Sequence, residues 1–303
     1  MSRIHEALKK AAQERATQLA SESGVADVAA EIRRSIPAPG ETDVARRKAP
    51  SRIGVGNLSA PSCFEELVQR CAHPEWQPHP SNSIFGERSA GHAGAERFRT
   101  LRSRLYQIAG NHTLRRLLVT SSVAGEGKTF VAANLAQSII RQPERRVLLL
   151  DADLRVPQLH AALGAPDSPG LTDYLLADAD ECAVIQQGLQ ANLFLIPAGK
   201  PVSNQSELLL GERMKRLLDC VSPLFDWIII DSPPALPVHD ASVLADLADG
   251  VVLVIQAGST DVDDAGKAAE EFRSKNLLGV VLNRVEKSDS NGKLYYNYGT
   301  EAV

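Results

Sequence analysis

No stretch of this sequence approaches the ~20 consecutive apolar residues that a helix needs to span a bilayer, so the chain is expected to be soluble or peripheral. Cysteine is scarce. The four present (Cys63, Cys71, Cys182 and Cys220) include no Cys-x-x-Cys pair. No signal-peptide pattern precedes them, so they are expected as reduced thiols in a cytoplasmic protein. Cys63, Cys71, His73 and His79 lie near one another, but their spacing matches no standard zinc pattern. Positive charge is not in excess either. A net charge of −4 and a pI near 6.0 argue against a nucleic-acid-binding surface over the whole protein. No internal repeat is visible.

What is present centres on Ser121-Ser122-Val123-Ala124-Gly125-Glu126-Gly127-Lys128-Thr129. The apolar run Leu117 to Thr120 precedes it, and Phe130 to Ala136 follows with apolar residues at helical spacing. Strand, glycine-rich loop and a helix opening on Lys-Thr form the context of a phosphate-binding P-loop. Glycines let backbone N–H groups converge on an anion, and the helix N-terminus adds partial positive charge. Lys128 would reach the β- and γ-phosphates of ATP, and the Thr129 hydroxyl would bind Mg²⁺. One position departs from the strict pattern: Ser122 stands where a glycine is usual.

Further along, Val147–Leu150, Leu193–Ile196, Trp227–Ile230, Val251–Ile255 and Gly279–Leu282 are short, continuous apolar runs. Continuous rather than alternating runs suit a parallel sheet covered on both faces. The expected fold class is α/β: a doubly wound, mostly parallel sheet of the P-loop NTPase type, over about 84–287. Ligands of such a fold sit at the carboxyl ends of the strands. Residues 1–83 are expected to hold a helix over Ser2 to about Ser23. A linker would follow over 24–80, with a short helix possible near Phe64 to Arg70. A stronger helix should start near Ala93, burying Phe98, Leu101 and Leu105. Its Glu96, Arg99 and Arg102 project from another side, where the charge pattern alone suggests a solvated face.

Two strands end in acids, Leu150-Asp151-Ala152-Asp153-Leu154-Arg155 and Ile230-Asp231-Ser232-Pro233-Pro234. An Asp at a strand's carboxyl end beside a P-loop commonly holds hydrated Mg²⁺, though each could instead cap a helix. Period-two geometry sends Asp151 and Asp153 toward one face. Two acids can divide the work, one binding metal and one taking a proton from an attacking hydroxyl. The second acid therefore hints at transfer to an alcohol or phenol. Three of the five tyrosines, Tyr295, Tyr296 and Tyr298, fall in the polar tail 288–303. They would supply the phenol, unless they are incidental.

In this order, these elements resemble the bacterial tyrosine autokinases of exopolysaccharide and capsule synthesis, the BY-kinase family. The resemblance covers about 84–298. It rests on Ala124 to Thr129, the strand ending Asp151-Ala-Asp-Leu-Arg155-Val-Pro, the strand Phe225-Asp-Trp-Ile-Ile-Ile-Asp231-Ser-Pro-Pro, Glu96-x-x-Arg99-x-x-Arg102 and the tail tyrosines. It implies ATP and Mg²⁺ as cofactors, with Ala124, Gly125, Glu126, Gly127, Lys128, Thr129 and Phe130 around the nucleotide. It places Asp153 and Asp231 with Thr129 on the metal, Asp151 on the acceptor tyrosine and Asn283 near adenine. Tyr295, Tyr296 and Tyr298 would be phosphorylated by a neighbouring subunit of a homo-oligomeric ring, joined through Glu96, Arg99 and Arg102. The opening Ser-Arg-Ile-His-Glu-Ala-Leu-Lys-Lys is similar to stand-alone kinases of exosortase-associated loci, which depend on a membrane-embedded polysaccharide chain-length regulator. No nucleic-acid partner is implied. Partitioning ATPases carry an additional lysine where Val123 stands, and the 200–207 loop has Gln205 where proline is usual in the kinases. An ATPase switch without protein phosphorylation is the alternative reading.

Overall fold

A computed structural model describes residues 60–78, 82, 85, 92–110, 114–188 and 190–285. The arm ahead of residue 60 and the tail tyrosines Tyr295, Tyr296 and Tyr298 lie outside the described residues. Seven strands are described: β1 (Arg116–Ser121), β2 (Val147–Asp151), β3 (Gln186–Gln187), β4 (Leu193–Ile196), β5 (Trp227–Asp231), β6 (Gly250–Gln256) and β7 (Leu277–Asn283). They form one sheet in the order β3-β4-β2-β5-β1-β6-β7. Every pairing is parallel except that of the two-residue β3 with β4.

Burial along the strands explains why their sequences read as unbroken apolar runs. Leu118, Leu148, Leu150, Phe194, Ile196, Ile228, Ile230, Val251 and Leu253 face one apolar cluster. Leu117, Val119, Leu149, Leu193, Leu195, Ile229, Val252 and Val254 face another. Alternate residues thus enter opposite layers, and both layers are dry. On the first side the sheet packs against Met214, Leu217 and Leu218 of a helix over Glu212–Val221, and against Ala268 and Phe272 of one over Val262–Phe272. On the second it packs against the helix Lys128–Ile139, almost wholly buried, which in turn carries the helix His92–Ala109 through Phe98 and Leu105.

The segment 60–78 differs from its expected role as linker. The short helix Phe64–Arg70 forms, and its Leu67 is fully buried. Phe64 meets the edges of Phe194 and Phe225 at 5.5 and 6.1 Å, with the Arg146 guanidinium 3.8 Å over its ring. Ala72 then bridges to Gln186, exchanging backbone bonds with Ile185 and Gln187 at 3.0 and 2.8 Å. Trp76 is buried against Gly188, where an added Cβ would come within 2.7 Å of the indole. Spaced single apolar residues among prolines carry no period, yet each finds a socket on a preformed edge of the sheet. The strap therefore covers an edge that would otherwise expose unpaired backbone. Leu67→Ala should cost about 2–4 kcal/mol in urea denaturation. A cost near zero would mean that the strap detaches freely in solution.

Candidate active site at the ends of the central strands

The loop after β1 enters the helix Lys128–Ile139 through two left-handed glycines, Gly125 (φ 87°) and Gly127 (φ 96°). A Cβ at Gly127 would lie 2.1 Å from Asn283 Nδ2, whereas nothing lies within 4 Å of one at Gly125. The first glycine of the strict pattern is dispensable here. Ser122 is buried at the strand end with no positive φ, and its carbonyl accepts the Leu236 amide at 3.2 Å. Val131 N makes a 2.9 Å bond to Gly127 O. By helix geometry the amides just before it lack an intrahelical acceptor and face the loop's concavity.

β5 lies between β2 and β1, so the acids and the loop meet at the middle of the sheet. Asp151 and Asp231 are cross-strand partners in register. Lys128 Nζ pairs with Asp153 Oδ2 at 2.8 Å, and the Thr129 hydroxyl donates to Asp231 Oδ2 at 2.6 Å. Asp151 accepts the Leu159 amide at 2.9 Å and the Asp153 amide at 3.3 Å. Lys128, Thr129, Asp151, Asp153 and Asp231, expected from sequence to share a site, are thus brought together.

Three buried carboxylates around one ammonium produce a charge conflict. Burial works against the Lys128 charge, but Asp231 and Asp153 outweigh it, so its pKa lies above the ordinary value. Burial, then the neighbouring Asp231, pushes Asp151 up to about 8. Burial pushes Asp231 to about 6, against the pull of Lys128 and the Thr129 hydrogen bond. Asp231 Oδ1 is buried without a hydrogen-bond partner. A partnerless carboxylate oxygen beside a threonine hydroxyl and a glycine cradle fits Mg²⁺ with a triphosphate. Among the described residues no group of three His, Cys, Asp or Glu forms an all-protein metal cage.

The remaining expected residues divide. Ala124 is exposed on the loop. Phe130 packs edge-on to Phe98 at 6.1 Å within the second apolar layer, so its side chain belongs to the core rather than to a ligand site. Asn283 ends β7 and donates from Nδ2 to the Glu126 carbonyl at 2.8 Å. Glu96 and Arg99 pair with each other at 2.9 Å on the exposed face of their helix. Arg102 instead donates to the Ser138 carbonyl of its own chain.

Glu126, expected from sequence around the nucleotide, turns its side chain to a bracing role that the sequence reading did not foresee. Its buried carboxylate accepts the Val123 amide at 2.8 Å, the Gln256 amide at 3.3 Å and the Thr260 hydroxyl, pinning the loop to the end of β6. An acid inside an anion-binding loop was the available signal, because the charge there must serve something other than the ligand.

The raised carboxyls predict how stability varies with pH. Unfolded, Asp151 releases its proton near pH 4; folded, it keeps it to about 8. Between those values folding takes up a proton, so stability falls as pH rises through the window. Urea denaturation at pH 6 and pH 8 should show this loss. Asp231→Asn, by removing the neighbouring like charge, should lessen the loss without abolishing it, because burial of Asp151 remains; an unchanged slope would contradict the placement of the charges.

The chain is similar to known proteins. Residues 117–302 match the family model of the CobQ/CobB/MinD/ParA nucleotide binding domain. The tyrosine-protein kinase YwqD of Bacillus subtilis is 36% identical over 209 residues, spanning 68% of this chain and 87% of its own length. The tyrosine-protein kinase CpsD of Streptococcus agalactiae is 34% identical over 207 residues, 67% of this chain and 89% of its own. The kinase domain of the Escherichia coli tyrosine kinase ETK superposes with a TM-score of 0.64 at 29% identity, covering 79% of this chain and 95% of that domain. On the family match, these identities and the shared fold, the chain belongs to the bacterial tyrosine-kinase (BY-kinase) family within the CobQ/CobB/MinD/ParA nucleotide-binding domains.

Proposed function

We propose that this protein is an ATP-dependent protein-tyrosine kinase. It phosphorylates Tyr295, Tyr296 or Tyr298 of a neighbouring copy, and it regulates polymerisation or export of an exopolysaccharide together with a membrane-embedded chain-length regulator. The observation that carries this reading is the second acid pair member: Asp153 sits 2.8 Å from the Lys128 ammonium while Asp151 lies across from Asp231. Hydrolysis of ATP by water needs one such acid. Two, with one pKa raised, suit transfer to a phenol.

In this reading the loop amides and Lys128 bind the phosphates of ATP, and Thr129, Asp231 and Asp153 hold Mg²⁺. Mg²⁺ held there would supply positive charge against that of the phosphates. Asp151 would receive the phenol's proton in its ionised form, which Mg²⁺ held by Asp231 and Asp153 would favour by offsetting their charge. A carboxylate of ordinary pKa is a weak acceptor for a phenol of pKa about 10, and the upward push on Asp151 narrows that gap. Asn283, with its Nδ2 committed to the loop, offers Oδ1 to adenine. The exposed Glu96–Arg99 pair would open to meet a second subunit in a ring. Tyr295 lies nine residues past Glu286, a reach of about 30 Å if extended, enough to cross a subunit contact. Each added phosphate carries roughly −1.5 to −2 charges and would be repelled from a site rich in carboxylates, loosening the ring. No described helix is long and apolar enough to cross a membrane, so membrane association would pass through the partner, from a cytoplasmic position.

Incubation with Mg·ATP, in the presence of the partner's cytoplasmic segment, should yield phosphotyrosine at 295, 296 or 298 by mass spectrometry. Lys128→Met should yield none. Asp151→Asn should retain ATP binding and lose about 10²–10⁴-fold in transfer rate. Label recovered only as free phosphate would replace the kinase reading with an ATPase switch.

A further inference from the structure

Loops leaving the carboxyl ends of β2, β4 and β5 meet at Asp240, the first residue of a helix over Asp240–Ala245. Asp240 is 2% exposed. Its Oδ2 accepts Arg155 Nε at 2.8 Å and its Oδ1 accepts the Ser206 hydroxyl at 2.5 Å. Arg155 Nη2 closes the triangle by donating to Ser206 Oγ at 3.1 Å. Each corner belongs to a different segment: Arg155 lies in the loop after β2, Ser206 in a helix over Gln205–Leu210 that follows β4, and Asp240 at the start of the helix that follows β5.

Arg155 stands two residues beyond Asp153, in a stretch without helix or strand between Asp151 and Leu159. No sheet ladder holds that stretch. Its first residues are held by the Ala152 amide on the Asp231 carbonyl at 2.8 Å, by the Asp153 amide on Asp151 and by buried Leu154; beyond them the restraints are Asp153 Oδ1 accepting the Val156 amide at 3.1 Å, the Lys128 pair, and the Arg155 corner of the triangle. A buried carboxylate left unpaired is strongly disfavoured, so the triangle persists closed rather than breathing open. The nearby arginine is therefore committed to a strut and is not available as a phosphate ligand.

We propose that Asp240 is a positioning residue for phosphoryl transfer: acting through Arg155, with Ser206 as the third corner, it holds the 153–156 segment so that Asp153 stays opposite Lys128. The proposal rests on the kinase reading. It assigns Asp240 no contact with nucleotide or acceptor. Its effect falls on the rate of transfer, because the loop amides and Lys128 that bind ATP sit on other elements.

The test uses the full chain with Mg·ATP and the partner segment. Single-turnover transfer from labelled ATP, affinity for a fluorescent ATP analogue and thermal midpoint are measured together. Asp240→Asn and Arg155→Gln should each slow transfer about 10–100-fold, the scale of a small misplacement of reacting groups. Affinity should stay within about twofold. The double variant should lose no more than the worse single one, because both break one contact. Arg155→Lys, keeping the charge without the fork, should fall between, and Ser206→Ala should give the smallest loss without threatening the fold. Wild-type rates in Ser206→Ala and Asp240→Asn, or losses that multiply in the double variant, overturn the proposal. So does a loss shared equally by rate, affinity and thermal midpoint, which would make the triangle structural cement. If wild type forms phosphotyrosine and the variants match it, the proposal fails alone. If wild type releases only free phosphate, the kinase reading fails while the release rate still decides the positioning role. If it forms neither product, both fall.

Discussion

The structure depends on one electrostatic arrangement: a buried ammonium, Lys128, standing among Asp151, Asp153 and Asp231 at the ends of adjacent strands. One positive charge cannot satisfy three negative ones in a dry interior. Burial raises the Asp151 and Asp231 carboxyl pKa values, the neighbouring carboxylates add to it, and Asp231 Oδ1 is left without a partner. Such a cluster is costly unless a ligand completes it. A cation on the acids with an anion on the loop would complete it.

The fold supports that strained centre from several directions. The carbonyls of Ser121 and Ser122 accept amides from Ala235 and Leu236, so the nucleotide loop and the strand end of β5 are tied together. Glu126 joins the loop to Gln256 and Thr260, and Asn283 reaches Glu126 from β7. On the other side, Arg155, Ser206 and Asp240 link the loop after β2 to the starts of two helices. Loops usually move more than the elements they connect. These are cross-braced by charged or buried polar groups, which keeps reacting groups in place without filling the site with apolar side chains.

Much of this was legible in the sequence. Continuous apolar runs identify buried parallel strands because both faces are covered, and Gly125, Gly127, Lys128 and Thr129 announce the loop because few other contexts need them. Asp151 and Asp231 were readable from their place after such runs. The strap at 60–78 was not, since Leu67 and Trp76 lack periodicity and make sense only against Phe194, Gly188 and the sheet edge. Phe130 and Arg102 were read by position in a motif. Their side chains turn instead toward the core and toward Ser138.

By itself the sequence determined the fold class, the strand ends and the residue types that could meet a phosphate, because these follow from local period and from rigid short-range geometry. Only the tertiary structure decided strand order, hence that Asp151 faces Asp231. It also decided which charges would be buried together and which distant partners (Thr260 for Glu126, Asp240 for Arg155) would hold the loops. Those contacts join residues 134 and 85 positions apart. No local rule selects such pairs; they exist because the sheet brings their elements to one end and burial leaves each charge no other partner.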